Sequence, residues 1–272
     1  MTHTGTILIT GGTGKTGRRV ATRLPGARVA SRGGTPPFDW HERATWEPAL
    51  AGVEAAYLSY WPDISAPEAA GTLRAFAGLA AARGVRRLVL LSGRGMDSAA
   101  EAEAAVRESG TEWTILRGSW FCQNFSEDFL LDPVRAGEFT LPAAPGVVEP
   151  FIDAEDIADV AVAALTGAGH AGRTYELTTG RALTLEEAAA EIGEAAGRTV
   201  AFRAVGRDQY ADDLTAQGQP PEIARLLAGL FTDVLDGRNA AVSGDVAAVL
   251  GRPPRDFSDF ARRAAAAGAW AG

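Results

Sequence analysis

The sequence is poor in the residues that bind metals or form disulfides. Only one of its 272 residues is cysteine, Cys122, so no internal disulfide can form. The three histidines, His3, His41 and His170, are scattered and show no metal-ligand spacing. These shortages exclude a disulfide-stabilised scaffold and a cysteine or histidine metal centre. We predict a metal-free protein of the cytoplasm, where disulfides are rare.

The sequence also lacks an excess of positive charge and a long apolar run. Its formal net charge is −8 at pH 7 and its pI is about 5.0. Because a protein that binds a phosphate backbone needs a basic surface, we predict no direct nucleic-acid partner. No run of about 18 or more apolar residues is present and no signal-peptide pattern precedes the first strand, so we predict no membrane span. A monomer and a homodimer both fit these features.

Short apolar runs that end in glycine or polar turns predict buried parallel strands, and helical segments lie between them. The predicted strands are Thr6–Thr10, Ala27–Ser31, Ala55–Ser59, Arg87–Ser92 and Glu112–Leu116. The predicted helices are Lys15–Leu24, Ala66–Arg83 and Ala99–Ser109. This alternation predicts a Rossmann-type α/β fold with a doubly wound parallel sheet, in which ligands bind beyond the carboxyl ends of the strands.

The character of the chain changes in its second half. A Pro/Gly-rich stretch over residues 131–150 precedes a helical stripe, a short strand in TYELTTG, and a helix with a capping box from Thr184 to Glu187. The remainder is mostly helical. We therefore assign residues 1–150 to a dinucleotide-binding domain with strands added from later residues. Residues 151–272 are assigned to a smaller substrate-side lobe that does not fold independently.

The stretch TILITGGTGKTG, residues 6–17, contains two overlapping nucleotide-binding patterns. A triphosphate-binding loop requires glycine at position 9, which is Ile9, so that pattern fails. The spacing Gly11-x-x-Gly14-x-x-Gly17 instead supplies the strand, tight turn and helix N-terminus that receive a dinucleotide pyrophosphate. The alternative is a strand–helix turn without a ligand.

The segment after the second predicted strand indicates which dinucleotide binds. NAD-binding folds usually place Asp or Glu here, about 20 residues beyond the glycines, to hold the ribose 2′-hydroxyl. This chain has Ser31 and Arg32 instead, and a guanidinium favours a 2′-phosphate through bidentate hydrogen bonds. We predict NADPH/NADP+ in preference to NAD. The alternative for Arg32 is a solvated surface side chain.

Residues 38–40, Phe-Asp-Trp, are predicted to end a third strand, where Phe38 and Asp39 could flank the adenine. A loop anchored by Trp40 is the alternative. The residues predicted to bind the cofactor are Thr10, Gly11, Thr13, Gly14, Lys15, Thr16, Gly17, Ser31, Arg32, Phe38, Asp39, Ser59, Tyr60 and Ser92.

Longer motifs resemble one protein family over essentially the whole chain. They are TGGTGKTG, RRLVLLSGRG, ESGTEWTILRGSWFCQNF, PFIDAEDIADVAVAAL and GRTYELT. Together they resemble the NmrA-like branch of the atypical short-chain dehydrogenases/reductases. The resemblance implies an NAD(P)H-dependent oxidoreductase of ketones, imines, quinones or dyes, or a redox-sensing regulator that binds the dinucleotide without turning it over.

The general mechanism of the family uses Tyr-x-x-x-Lys, in which the tyrosine protonates the substrate oxygen and the lysine lowers the tyrosine pKa. The resemblance places these residues at about Gly95 and Ala99, so both are missing. No tyrosine lies between Tyr60 and Tyr175. Hydride transfer by this chain must therefore obtain its proton in another way.

Three solutions remain open. Ser92, at the end of a predicted strand, could hydrogen-bond a substrate oxygen, or could be a turn residue. Gln123 and Asn124 could polarise a carbonyl while water or a substrate phenol supplies the proton; alternatively, Asn124 only ties the cap to the sheet. A protonated imine or an electron-poor quinone would need less acid assistance. Ser92 and Asn124 are the candidate catalytic residues.

Aromatic residues cluster around the expected meeting point of the two lobes, where they would suit a flat aromatic substrate. The alternative is that most of them are core residues. Trp61, which is followed by Pro62, is expected to be the most exposed. The residues predicted to bind substrate are Tyr60, Trp61, Trp120, Phe121, Gln123, Phe125 and Phe151.

The first hypothesis is an NADPH-dependent ketoreductase that transfers hydride to a C=O group of an aromatic or polycyclic small molecule. A secondary metabolite such as an aromatic polyketide, as in antibiotic biosynthesis, is the substrate type suggested by the resemblance and the aromatic residues. One alternative is an NADP(H)-binding redox sensor or regulator that acts through a protein partner. Others are a reductase of imines, quinones or azo dyes, and a binding protein with a vestigial glycine loop.

Overall fold

The computed structural model describes residues 6–271 of the chain. The strands are β1 (Thr6–Ile9), β2 (Arg28–Val29), β3 (Val53–Leu58), β4 (Arg87–Gly93), β5 (Glu112–Gly118), β6 (Glu138–Leu141), β7 (Val148–Glu149), β8 (Arg173–Leu177), β9 (Leu183–Thr184) and β10 (Ala201–Ala204).

Helices connect these strands and dominate the second half of the chain. The α-helices are α1 (Lys15–Arg23), α2 (Trp46–Leu50), α3 (Ala69–Ala82), α4 (Ala100–Arg107), α5 (Asn124–Glu127), α6 (Leu131–Ala136), α7 (Ala154–Thr166), α8 (Leu185–Ala196), α9 (Arg207–Ala216), α10 (Pro221–Val234), α11 (Asp245–Leu250) and α12 (Phe257–Ala266). Short 3₁₀ helices cover Arg43–Thr45 and Asp97–Ala99.

The central sheet has six strands in the order β2-β1-β3-β4-β5-β8. Every neighbouring pair in it is parallel. Two small pairs complete the strand pairing, β6 with β10 in parallel and β7 with β9 antiparallel. The predicted Rossmann-type α/β fold is therefore confirmed, and the predicted strand in TYELTTG is the β8 edge of the main sheet.

Burial explains why the central strands are nearly continuous apolar runs. Five of the six residues of β3 are buried, and β4 contributes the buried run Leu88–Leu90. A parallel sheet is covered on both faces by its connecting helices, so its strands have no polar face. Leu73, Phe76, Ala77 and Ala80 form the buried stripe of α3, at the spacing expected for an amphipathic helix.

The chain forms two compact units that interleave in sequence. The first contains residues up to 118, residues 154–177 and residues 245–253. The second contains residues 119–153, 178–244 and those from 254 onward. The sequence predicts a boundary at residue 150 with strands added to the first domain from later residues. In the structure the first unit takes both β8, which hydrogen-bonds to β5, and the preceding helix α7. The assignment of the two regions to cofactor and substrate stays a prediction.

The second unit has a hydrophobic core of its own, in which several phenylalanine rings pack together. Phe125 lies at the centre, with its ring centroid 5.3 Å from that of Phe139 and 5.8 Å from those of Phe151 and Phe257. The predicted capping box at the start of α8 is confirmed: Thr184 accepts from the Glu187 N–H, and the Glu187 carboxylate accepts from the Thr184 N–H.

Residues 38–40 do not end a third strand, so that prediction is wrong. They lie in a loop in which Phe38 and Trp40 are buried and pack edge-to-face, with ring centroids 5.1 Å apart. The Trp40 indole N–H donates to the Ser59 carbonyl oxygen at 3.1 Å. The alternative prediction, a loop anchored by Trp40, matches the structure.

Within residues 6–271, no helix combines the length and apolar character needed to cross a membrane. Over the same residues, no group of three or more His, Cys, Asp or Glu side chains is arranged to hold a metal ion. His3 lies outside the described residues.

An ion-pair network joins α1 to α7 in the first unit. Glu155 accepts from Arg19 and from Arg23 at 2.6 Å each, and Arg23 also donates to Asp159 at 2.6 Å. Burial alone would raise the pKa of Glu155, but Arg23 and Arg19 outweigh it, so the pKa lies below its ordinary value near 4.5. The ion pairs of Glu155 therefore stabilise the fold only while Glu155 is ionised.

Replacing Glu155 with Gln tests this linkage. A carboxylate whose pKa is depressed on folding contributes stability above its unfolded pKa and loses that contribution as pH falls through the folded pKa. We expect E155Q to lower the free energy of unfolding by about 1 kcal/mol at neutral pH, and the difference from the parent to disappear in acid. Urea unfolding of both proteins from neutral to acid pH measures this difference, and E101Q, at an exposed position, is the control. A difference that does not change with pH would contradict the role of the Glu155 ion pairs.

Candidate functional site

The glycine loop after β1 lies directly under the first turn of α1. Gly11 has φ 61° and accepts the Gly14 N–H through its carbonyl oxygen at 2.8 Å. A Cβ on Gly17 would lie 2.2 Å from that same oxygen. A side chain at position 17 would therefore separate the helix from the loop, which explains the glycine spacing in structural terms.

A fourth glycine, which the spacing argument omits, closes the other side of the loop. A Cβ on Gly12 would lie 2.4 Å from Cγ1 of Val29 in β2. Thr13 and Gly14 are exposed, so the turn presents backbone to solvent between two tightly packed sides. The Gly-Gly pair in the sequence was the available signal for this constraint.

The N-terminus of α1 suits an anion. Its N-cap residue is Gly14, which has no side chain to cap the helix, and the first turn contains no acidic residue. Lys15, half-buried, is the first helical residue. Backbone N–H groups at a helix start carry partial positive charge, so this end of α1 favours a phosphate.

Two threonines predicted to bind the cofactor are buried against the sheet. Thr10 Oγ1 accepts from the Ser59 N–H at 2.9 Å and donates to the Tyr57 carbonyl oxygen at 3.1 Å. Its hydroxyl therefore ties the end of β1 to the end of β3. Thr16 is 4% exposed and lies beside the Tyr57 hydroxyl. Thr10 and Thr16 thus have contacts within the protein, and their contacts with a cofactor stay predictions.

The loop after β2 is held closed by one backbone oxygen. The Ser31 carbonyl accepts from the N–H groups of Gly34 at 3.0 Å and Phe38 at 2.9 Å. Arg32 projects from this turn, is exposed, and forms no hydrogen bond or ion pair with any described residue. Its guanidinium carbon lies 5.2 Å from the centroid of the Trp61 ring.

The two residues predicted to flank the adenine have defined contacts within the protein, and their contacts with a cofactor stay predictions. Phe38 is 4% exposed and packs against Trp40 and Phe76, so it belongs to the hydrophobic core of the first unit. The Asp39 carboxylate accepts from the His41 N–H at 2.9 Å, which stabilises a turn. The tripeptide Phe-Asp-Trp alone does not distinguish a ring that faces a ligand from one that faces the core.

Ser92, a candidate catalytic residue, belongs to a buried charge network. Its hydroxyl donates to Glu103 Oε1 at 2.7 Å, and Arg117 donates to both oxygens of the same carboxylate at 2.8 and 2.7 Å. Arg107 adds a further bond at 2.8 Å. Burial would raise the pKa of Glu103, but hydrogen bonds from Arg117 and Ser92 outweigh it and lower the pKa. Glu103 is therefore an anion, and the Ser92 proton points at it.

The network continues across β5 to the sheet edge. Arg117 also donates to Glu176 at 3.0 Å, and Arg94 donates to the other Glu176 oxygen at 3.1 Å. The neighbouring carboxylates raise the pKa of Arg117 above its ordinary value. These guanidinium groups are engaged with protein carboxylates at the carboxyl ends of β4, β5 and β8. No sequence signal identified Glu103 as the partner of Arg117.

The positions where the resemblance expects Tyr and Lys are unsuited to those residues. Gly95 has φ 67°, a left-handed conformation that side-chain-bearing residues rarely adopt. Ala99 is fully buried in the hydrophobic core of the first unit. A lysine there would bury its charge, so the local structure is built without the usual acid pair.

The two aromatic substrate candidates of the first unit differ sharply in exposure. Tyr60 is 7% exposed and packs against Trp40, with ring centroids 5.2 Å apart. Trp61 is 55% exposed, as the sequence predicts for the residue before Pro62. Trp61 touches Arg32 and, edge-on, the ring of His41.

Among the candidates in the second unit, Phe125 and Phe151 are core residues. Both are fully buried and pack on Phe257. Their contact with a substrate stays a prediction. Trp120 is 7% exposed and lies edge-on to Phe231 at 5.1 Å.

Phe121 is half-buried, and its backbone pairs with Ile152 in an isolated β-bridge. Gln123 is 3% exposed, and its Nε2 donates to Asp153 Oδ1 at 2.7 Å. Arg263 also pairs with Asp153, so the carboxylate lies between two donors. Asn124, the other catalytic candidate, is half-buried and begins α5. Substrate contacts of Trp120, Phe121 and Gln123 and the catalytic role of Asn124 stay predictions.

Comparison with known proteins identifies the family. The model of the NmrA-like family matches residues 69–234, more than half of the chain. The chain belongs to the NmrA-like family. It is 30% identical over 276 residues to agroclavine dehydrogenase of Claviceps fusiformis, covering 94% of this chain and 96% of that protein. It is 33% identical over 287 residues to the NAD(P)H azoreductase of Xenophilus azovorans, covering 96% and 98%.

A solved structure extends the likeness to the fold of this NmrA-like chain. The triphenylmethane reductase of Citrobacter sp., complexed with NADP(H), superimposes with a TM-score of 0.79 at 19% identity, covering 95% of this chain and 99% of that one. The family prediction is confirmed, and so is the predicted enzyme class, an NAD(P)H-dependent oxidoreductase.

The close approach at Gly17 gives a direct test of the loop. We expect G17A to destabilise the protein by about 1 to 3 kcal/mol, because the added Cβ must push the helix away from Gly11. G78A is the matched control: Gly78 is exposed within α3 and a Cβ there meets nothing within 4 Å. It should be neutral or stabilising by up to about 1 kcal/mol. Equal urea-unfolding midpoints for the two variants would refute the steric constraint.

Proposed function

We propose that this protein is an NADPH-dependent reductase that transfers hydride to a C=O group of an aromatic or polycyclic small molecule. The observation that carries the proposal is the pairing of an open glycine loop with Arg32, an exposed guanidinium that has no carboxylate partner among the described residues. The loop suits a pyrophosphate and the guanidinium suits a further phosphate.

The residues of the first unit fit such a cofactor. The backbone N–H groups from Gly11 to Gly14 and the start of α1 would hold the pyrophosphate. The close packing at Gly12 and Gly17, which leaves no room for a Cβ atom, gives the loop the shape that this binding needs. Arg32 would hold the 2′-phosphate and so favour NADPH over NADH. When bound, NADPH supplies the hydride.

The chain offers no exposed tyrosine as the acid. All four tyrosines are at most 7% exposed. Burial raises the pKa of Tyr57, Tyr60 and Tyr210 and makes each a weaker proton donor, while Tyr175 bonds to His170 at 2.9 Å. We therefore propose that the proton comes from water or from the substrate itself.

We propose that Ser92 is a hydrogen-bond acceptor and not the proton donor. Its hydroxyl proton is donated to the Glu103 carboxylate, so the Ser92 oxygen is left as a hydrogen-bond acceptor for a ligand. Ser92 would then accept a hydrogen bond from a bound group. Asn124 is the residue we propose as a neutral donor that polarises the substrate carbonyl.

The substrate class follows from this limited supply of acid. An electron-poor, conjugated carbonyl, such as that of a quinone or an aromatic polyketide, accepts hydride with little protonation in the transition state. The named relatives include an azoreductase, so reduction of an azo group is one alternative. A protonated imine, which needs little acid assistance, is another. A secondary metabolite is the substrate type that we propose.

A substrate panel tests the reductase proposal. We expect the purified protein to oxidise NADPH when mixed with aromatic ketones or quinones, measured by the fall in near-ultraviolet absorbance, at a rate well above that without protein. Imines and azo dyes form the comparison arms. Tight NADPH binding without oxidation by any compound would reject the enzyme and support a redox sensor that acts through a protein partner.

The cofactor preference is tested by R32A. We expect the Kd of NADPH to rise roughly tenfold or more, since a charge-assisted hydrogen bond to phosphate is lost, while the Kd of NADH changes by less than about twofold. R225A, which removes an exposed arginine from α10, is the control and should leave both values unchanged. Equal weakening of NADPH and NADH by R32A would show that Arg32 does not meet the 2′-phosphate.

A further inference from the structure

Trp61 is a large aromatic side chain whose packing partners are other surface residues. More than half of its surface, 55%, is exposed, and it follows the carboxyl end of β3. The Arg32 guanidinium lies over its ring at 5.2 Å from the centroid. The His41 ring meets it edge-on at 5.9 Å and 76°. The indole therefore rests between two side chains that come from the segment after β2.

The cation–π contact with Trp61 uses none of the Arg32 N–H groups as hydrogen-bond donors. A guanidinium carries five such donors in a planar fork. Among the described residues none of them has a hydrogen-bond acceptor, so they remain available to a ligand. Because Arg32 has no hydrogen bond or ion pair within residues 6–271, the ring contact is what restricts its position.

We infer that Trp61 is a positioning residue for cofactor specificity, which holds the Arg32 guanidinium where its N–H edge meets the 2′-phosphate of NADPH. This inference rests on the proposed NADPH preference and deepens it. It also moves Trp61 from the predicted substrate contacts to the cofactor side of the site. A long arginine side chain loses rotamer entropy when it binds an anion, and prior stacking reduces that loss.

The magnitude follows from the strength of a cation–π contact. Such a contact at an exposed site corresponds to about a two- to fivefold change in an equilibrium constant. Only ligands that carry the 2′-phosphate should sense it. A merely structural role for Trp61 would weaken all dinucleotides alike.

Calorimetric titration of the full chain with NADP+, NAD+, 2′,5′-ADP and 5′-AMP tests this. We expect W61A to raise the Kd of NADP+ and 2′,5′-ADP about two- to fivefold and to leave NAD+ and 5′-AMP unchanged. W61F, which keeps a ring, should recover part of the loss. L226A removes a side chain of equal exposure, 55%, from α10 and is the matched control. Equal losses for phosphorylated and unphosphorylated ligands in W61A would overturn the inference.

The double variant R32A/W61A separates this inference from the proposed function. Removing the ring should have no further effect on the NADP+ to NAD+ affinity ratio once Arg32 is absent, because the two residues act as one unit. If R32A lowers that ratio and W61A alone does not, the inference fails while the NADPH preference stands. If R32A leaves the ratio unchanged, the NADPH preference itself fails.

Discussion

The first turn of α1 rests on the backbone of the loop that follows β1, with only the hydrogen atoms of Gly17 between the helix and the Gly11 carbonyl oxygen. A Cβ at position 17 would approach that oxygen to 2.2 Å, and one at Gly12 would meet Val29 at 2.4 Å. These contacts hold the loop tight between β2 and α1, so that its exposed backbone and the positive end of the helix dipole coincide. The candidate cofactor site depends on this packing more than on any side chain of the loop.

Charged groups near the carboxyl ends of the strands divide into two kinds. Arg117 and Arg94 are bound to Glu103 and Glu176, and these pairs stiffen the ends of β4, β5 and β8. Arg32 has no carboxylate partner among residues 6–271 and lies over the exposed Trp61 ring. Arg117 is paired with the buried Glu103 carboxylate and is poorly suited to bind a ligand phosphate, because breaking that pair would leave a buried charge. This contrast supports the proposal that Arg32, and not Arg117, meets the cofactor phosphate.

The sequence predicts the local features of this molecule well and the long-range ones less well. The glycine turn and the Thr184 capping box depend on neighbouring residues, and both are found as expected. The place of β8 beside β5 depends on strand pairing across a gap in sequence, which periodicity does not encode. The prediction of a strand ending at Phe38 was wrong, because a phenylalanine in a loop packs into a core as readily as one in a strand. The hydrogen bond from Ser92 to Glu103 joins β4 to α4, and no pattern in the sequence predicts it.

We propose that the protein binds NADPH through the glycine loop and transfers hydride to carbon without a tyrosine acid. Single turnover with NADPH that carries deuterium on the hydride-donating carbon tests this most directly, with an aromatic ketone as acceptor and mass spectrometry of the product. We expect one deuterium on the former carbonyl carbon of the alcohol formed. Saturating cofactor binding with no deuterium in any product would contradict it.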